Sequence, residues 1–140
     1  MKFSDAQEQA ITEAVAAAER GSTGELRVLV LGRCKGSVLD EAKQHFERLG
    51  LTATKGRTGV LLVVCPRDRK AAILGDAGIH DKVGDAFWRL VIDRAIGYFA
   101  AGDVLLGILS AVDEIGQAFR KHLPAERGEG NELPDRVERG

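Results

Sequence analysis

The sequence predicts an α/β protein, a three-layer α/β/α sandwich in which a mixed sheet carries helices on both faces in the order α-β-α-β-β-α-α. The run Val60-Leu61-Leu62-Val63-Val64 is apolar on both faces, as a central strand covered from both sides must be. Segments before and after it repeat apolar residues at helical spacing. The chain's 140 residues, 44% of them apolar, match the size of one domain that builds a core without metal or disulfide staples.

Taken in order, Ser4 caps a first helix, with Gln7 at the reciprocal capping position and Phe3 ahead of the cap. Ala10, Ile11, Ala14, Val15 and Ala18 form its apolar stripe, and Gly21 ends it. Residues 25–31, β-branched and leucine-rich, read as the first strand. Gly32-Arg33-Cys34-Lys35-Gly36-Ser37 then turns the chain into a second helix, capped by Ser37, with Leu39, Ala42, Phe46 and Leu49 facing inward. Beyond the central strand, Pro66-Arg67-Asp68-Arg69 is turn chemistry and Ala71-Ala72-Ile73-Leu74 returns as a third strand. The helix between the first two strands implies a parallel pair; the short turn after the second implies an antiparallel hairpin. A third helix is expected over residues 81–99, burying Val83, Phe87, Leu90, Val91 and Tyr98 or their neighbours. Gly102-Asp103 breaks it, and Asp103 caps a fourth helix that buries Leu105, Ile108, Val112, Ile115 and Phe119 before Pro124 closes it. Residues 1–124 thus read as one domain, and the glycine- and charge-rich residues 125–140 as a mobile tail.

The 20 basic and 21 acidic residues leave a formal net charge of −1, which argues against nucleic acid as a partner, because that binding needs a basic surplus or stripe. Clusters such as Arg67-Asp68-Arg69-Lys70 mix both signs, so no polybasic membrane patch is present. No charged start followed by an apolar run marks a signal peptide, and no stretch reaches the roughly 18 apolar residues of a membrane span. A soluble, cytoplasmic protein without membrane insertion is therefore expected. Two cysteines are too few for a disulfide framework or a zinc site, in keeping with a reducing compartment.

The densest chemistry lies in Gly75-Asp76-Ala77-Gly78-Ile79-His80-Asp81, read as an acidic loop leaving the third strand, with Asp85 one turn onward. Asp76 at the strand end, with Asp81 and Asp85 on one face of a helix start, presents several oxygens to a hard cation such as Ca2+ or Mg2+, although not at EF-hand spacing. The plainer alternative is that Asp81 or Asp85 complements a helix dipole while Asp76 supports the turn. Arg33, Lys35 and Ser37 lie between a strand and a helix start, where backbone amides hold anions; a purely structural turn is the alternative. That segment is neither GxGxxG nor GxxxxGK(S/T), so no nucleotide cofactor is expected. Cys34 and Cys65 follow the carboxyl ends of two parallel strands, as neighbouring thiols or as small buried residues; neither has the Cys-to-Arg spacing of a cysteine phosphatase. His45, His80 and His122 form no HxxxH or HxH pair, and no serine sits in a GxSxG elbow. A third helix of about 25 Å places Asp103 at the far edge from Asp76, so one site does not hold both.

In order and spacing, several segments resemble the TPM domain family. They are Ser22-Thr23-Gly24-Glu25-Leu26-Arg27-Val28, Thr58-Gly59-Val60-Leu61-Leu62, and Asp68-Arg69-Lys70-Ala71-Ala72-Ile73-Leu74-Gly75-Asp76-Ala77-Gly78-Ile79. Phe87-Trp88 and the break Phe99-Ala100-Ala101-Gly102-Asp103 with Gly107 extend the similarity, which runs from about Phe3 to Leu123. It implies a Rossmann-like sandwich with three or four strands and divalent-cation sites, calcium ahead of magnesium, in loops beside the sheet. The positions that match are Asp76, Asp81, Asp85 and, separately, Asp103. Family members include a thylakoid-lumen photosystem II repair protein with proposed acid phosphatase activity. The carboxylates from Asp76 to Asp85, with no nucleophile–base pair beside them, lead to a domain that binds a divalent cation, with a protein partner as a further candidate; a metal-assisted phosphomonoesterase is the alternative, and a purely structural interaction domain using an exposed sheet edge or the Leu133 segment is the third reading. A short bacterial subgroup has counterparts of Cys34-Lys35-Gly36, Phe46-Glu47-Arg48-Leu49-Gly50 and Asn131-Glu132-Leu133-Pro134-Asp135, which implies that the tail docks through Leu133. Longer members carry a leader and a membrane helix, and an acidic residue where this chain has His80.

Overall fold

A computed structural model describes residues 3–125. Helix α1 (Asp5–Glu19) leads into strand β1 (Glu25–Val30), helix α2 (Val38–Arg48), strand β2 (Gly59–Cys65), strand β3 (Lys70–Gly75), helix α3 (Ala77–Ala100) and helix α4 (Val104–His122). Short 3-10 turns at Leu51–Ala53 and Pro66–Asp68 flank β2. The order is the one the sequence predicts. The sheet has three strands, with β2 in the centre, parallel to β1 and antiparallel to β3.

The apolar run becomes β2 because each of its residues is buried, with alternate side chains going to opposite faces. Val60, Leu62 and Val64 join Leu26 and Ile73 under α1, α3 and α4. Leu61 and Val63 join Ala72 beneath α2, where Ala42, Phe46 and Leu51 complete a smaller core. The result is three layers, with one helix on one face and three on the other. Among the described residues no helix is long and apolar enough to cross a membrane.

The caps follow local chemistry. Ser4 and Gln7 exchange reciprocal hydrogen bonds of 2.9 and 3.1 Å at the start of α1, and Ser37 Oγ accepts from Asp40 N at 3.3 Å at the start of α2. At the far end of the described residues, Pro124 bridges to Ser22, and Ala125 N donates to Gly21 O at 3.0 Å. The Leu133 docking motif lies outside the described residues.

Four local expectations are corrected. The acidic segment after β3 is not a loop: Asp76 caps α3, and the helix is already under way at Ala77. It begins early because Ile79 is fully buried and Gly78 serves a close backbone approach, not a turn. The helix then breaks at Gly84, whose φ of 79° and ψ of 165° are far from helical. That break resets the apolar stripe, so Trp88, Val91, Ala95 and Phe99 are buried while Leu90 is 55% exposed. On α2, Ala42 and Phe46 face inward with Val38 packed beside them, but Leu39 and Leu49 are exposed, since the inward stripe repeats every four residues as 38, 42 and 46 and leaves positions 39 and 49 off it. Asp103 occupies the N-cap position just before α4, but its side chain makes no capping bond there.

Candidate functional site

The amino end of α3 is held against the loop that enters β2. In that loop Arg57 N donates to Thr54 O at 3.1 Å, Thr58 N to Thr54 Oγ1 at 2.9 Å, and Thr58 Oγ1 to Thr23 O at 2.8 Å. These bonds fix a turn that places Arg57 in the left-handed region at φ 57°, an uncommon conformation for a side chain of this size. Gly78 N then donates to Arg57 O at 2.8 Å. A Cβ at Gly78 would stand 2.0 Å from Gly56 O and 2.5 Å from Arg57 O, so only glycine admits this approach.

Asp76 sits in the corner so formed and is 7% exposed. Its Oδ1 accepts from Ala77 N at 2.8 Å and from Arg57 Nη2 at 2.7 Å. Its Oδ2 is buried with no hydrogen-bond partner among the described residues; Glu114 Oε2, in the α3–α4 seam, is the other such oxygen. Burial pushes the Asp76 carboxyl up, but the Arg57 hydrogen bond, the Ala77 amide and the guanidinium charge together outweigh it and hold the group below the usual carboxylate value. The guanidinium is pushed up by the same hydrogen bond and by the charge of Asp76, with a smaller contribution from Asp81.

Asp81 therefore shares the field of Arg57 with Asp76, whereas Asp85 turns elsewhere. Its Oδ1 lies 3.5 Å from His80 Nε2, and His80 Nδ1 accepts from Trp88 Nε1 at 3.2 Å. An indole nitrogen only donates, so this arrangement assigns the His80 proton to Nε2, facing the carboxylate. Asp81 and Asp85, four residues apart, do not stack on one helical face, because the Gly84 break lies between them. Asp103 stands at the α3–α4 break, away from this corner. Among the described residues, no three His, Cys, Asp or Glu side chains gather into a metal-ligand cluster.

A second polar corner forms at the carboxyl ends of β1 and β2. Cys34 N donates to Asp68 Oδ2 at 2.9 Å, and Cys65 Sγ donates to the same oxygen at 3.3 Å. Both cysteines are free and buried, joined through one carboxylate. Burial first and the Asp68 contact second push the Cys65 thiol up, while the Cys34 amide and the Cys65 thiol hold Asp68 down. Lys70 Nζ reaches the carbonyl oxygens of Cys34 and Gly36 at 3.3 Å. Of the expected anion-binding residues, Ser37 is occupied as the cap of α2, and Arg33 and Lys35 are exposed. The amide of Cys34 already holds an anion, the chain's own Asp68.

Comparison with known proteins adds lineage to this geometry. Residues 2–118 match the TPM domain. The chain belongs to the TPM domain family. This TPM domain is 31% identical to the BA42 protein of the psychrophilic bacterium Bizionia argentinensis, whose NMR structure it matches with a TM-score of 0.84 over 96% of this chain and 93% of that one. It also shares the fold of the N-terminal domain of a P. gingivalis protein, at 22% identity and a TM-score of 0.74 over 89% of this chain and 82% of that one. The N-terminal domain of cg2496 from Corynebacterium glutamicum has the same fold at 15% identity, with a TM-score of 0.67 over 89% and 79%. No curated protein matches the chain.

Two participants escaped the sequence reading. Arg57 follows Gly56 in a polar segment with no periodicity, and only the close approach at Gly78 brings it to Asp76. The His80–Trp88 bond spans a helix break, so residue spacing could not announce it.

Proposed function

We propose that this TPM domain binds a divalent cation, calcium ahead of magnesium, at the Asp76 corner. The observation that carries the reading is the Asp76 carboxylate, 7% exposed, with one oxygen in use and Oδ2 without a partner among the described residues. A buried anionic oxygen in that state is costly, and a bound cation offsets the cost. Asp76 would hold the ion through Oδ2, with Asp81, whose charge also acts on Arg57, as the second carboxylate. The carbonyls of Gly56 and Arg57, which lie against Gly78, are neutral oxygens of the kind calcium accepts. The cation would supply countercharge and tie the loop entering β2 to the start of α3. Two carboxylates at most, with Arg57 beside them, make a low-charge site, for which dissociation constants on the order of 10⁻⁴–10⁻³ M are expected.

Calorimetric titration with Ca2+ and with Mg2+ tests this. The unmodified domain should give saturable heat that Asp76→Asn abolishes, Asp81→Asn weakens and Asp103→Asn leaves unchanged. Arg57→Ala removes the competing positive charge and should tighten binding. A flat isotherm for the unmodified domain removes the reading.

A further inference from the structure

We propose that the outer edge of β3 is a strand-addition site for an extended acidic peptide. The proposal does not depend on the cation reading, since it concerns a separate groove.

A groove of about 610 Å³ runs between α2 and α3. Five consecutive β3 residues, from Ala71 to Gly75, line it. Successive side chains of a strand point to opposite faces, so a groove touching all five runs along the strand's edge, not over one face. Strand β3 is the last in the sheet, and its other side is taken by β2.

The phase of the β2–β3 ladder shows what that edge offers. Asp76 N donates to Gly59 O at 2.9 Å, so the pair Asp76–Gly59 is hydrogen-bonded, and the register continues from it as Gly75 opposite Val60, Leu74 opposite Leu61 and Ile73 opposite Leu62. Hydrogen-bonded and non-bonded pairs alternate in an antiparallel ladder. Leu74 and Ala72 therefore spend their amides on β2, while the N–H and C=O groups of Ala71, Ile73 and Gly75 point outward into the groove. Three outward residues at a spacing of two are the pattern an added strand pairs with.

The opposite edge of the sheet is treated differently. There Glu19 Oε2 accepts from Leu26 N at 2.9 Å, so a carboxylate from α1 takes up the first outward amide of β1. No corresponding side chain closes Ala71, Ile73 or Gly75 among the described residues.

The walls select the occupant. Val38 and Leu39 on α2 and Ile92 on α3 offer apolar surface on the two sides of the strand, where Leu39 is 41% exposed, while Trp88 lines the groove from within the core at 4% exposed. Each receives alternate side chains of an added strand. Lys43 on α2 and Arg89 on α3 also line the groove, and neither is ion-paired among the described residues. The one carboxylate present, Asp85, faces His80 at 3.5 Å. Two cations against one carboxylate leave the groove net positive, which favours an acidic partner. Because both helices flank the strand, the edge is recessed. A second copy would carry the same flanking helices and could not bring its own β3 to the roughly 4.8 Å of strand pairing. A single extended peptide of about five residues matches the length of the groove.

The test uses the full chain, isotopically labelled, and acetylated, amidated octapeptides with valine at alternate positions. One set carries glutamate between the valines and the other lysine. Acidic peptides should slow amide hydrogen exchange at Ala71, Ile73 and Gly75 by at least tenfold, shift Trp88 fluorescence, and bind more weakly as salt rises. The double variant Lys43→Glu with Arg89→Glu, which changes only exposed side chains, should reverse the preference toward the lysine set. Unchanged exchange at those amides with millimolar glutamate peptide overturns the proposal. Equal protection by both sets overturns the acidic assignment, and protection that grows with protein concentration alone identifies a second copy as the occupant instead.

Discussion

Two glycines in α3 should respond to the same substitution with opposite signs. At Gly78 an alanine Cβ would lie 2.0 Å from Gly56 O and 2.5 Å from Arg57 O, both backbone atoms that no rotamer change can move. A carbon–oxygen contact of this kind normally sits at roughly 3.3 Å, so helix and loop must part by about 1 Å. Parting them gives up the 2.8 Å bond from Gly78 N to Arg57 O and loosens the 2.7 Å pair of Arg57 with Asp76. Overpacking of this kind costs about 1–3 kcal/mol and the hydrogen bond about 1 kcal/mol more. Alanine's helix propensity returns about 1 kcal/mol, so Gly78→Ala should destabilise by a net of about 1–3 kcal/mol. At Gly97 a Cβ meets nothing within 4 Å, so only the propensity gain remains and Gly97→Ala should stabilise by up to about 1 kcal/mol. Urea unfolding followed by Trp88 fluorescence, with thermal melts alongside, reads both; about 3–6 °C per kcal/mol is expected for a domain of this size. If Gly78→Ala is as stable as the parent, the close approach between α3 and the loop entering β2 is wrong, and with it the Asp76 corner.

The break in α3 makes a further prediction, because Gly84 lies at φ 79° and ψ 165° with open space around it. Gly84→Ala and Gly84→Ser should lose stability equally, by about 1–3 kcal/mol, as measured by urea unfolding; a loss that grows with side-chain size would mean crowding, not backbone conformation, is responsible. The acid limb of stability should report Asp76. Its carboxyl is held below the ordinary value of 3.8, so its contribution is complete above that pH and disappears as pH falls through the lower folded-state value. The stability gap between the parent and Asp76→Asn, measured by urea unfolding from about pH 5 to about pH 2, should therefore close toward the acid end. A gap that stays constant across that range would show that the Arg57 pair adds nothing.

The fold was largely legible because its governing signals are local. A strand apolar on both faces has to be central, and the distances in sequence between strands dictate parallel or antiparallel pairing. Ser4 with Gln7 and Ser37 with Asp40 are caps written within four residues. The candidate site was legible only in part. Asp76 could be singled out from its place at a strand end, but the two glycines around it suggested a loop where a helix begins. Asp81 and Asp85 looked like partners because four residues normally make one helical turn, and Gly84 cancels that relation.

What the sequence alone determined, then, is the layering: periodicity records which face of each element must leave water, and that suffices to stack helices on both sides of a sheet. Only the folded chain decided which groups meet across those layers. Arg57 reaches Asp76, Asp68 joins Cys34 to Cys65, and the amides of Ala71, Ile73 and Gly75 face a groove. These are encounters between residues distant along the chain or on an unpaired edge. Apolar patterning specifies burial through the solvent, whereas such meetings depend on backbone direction and on which glycine lets two segments touch, and no local pattern carries that information.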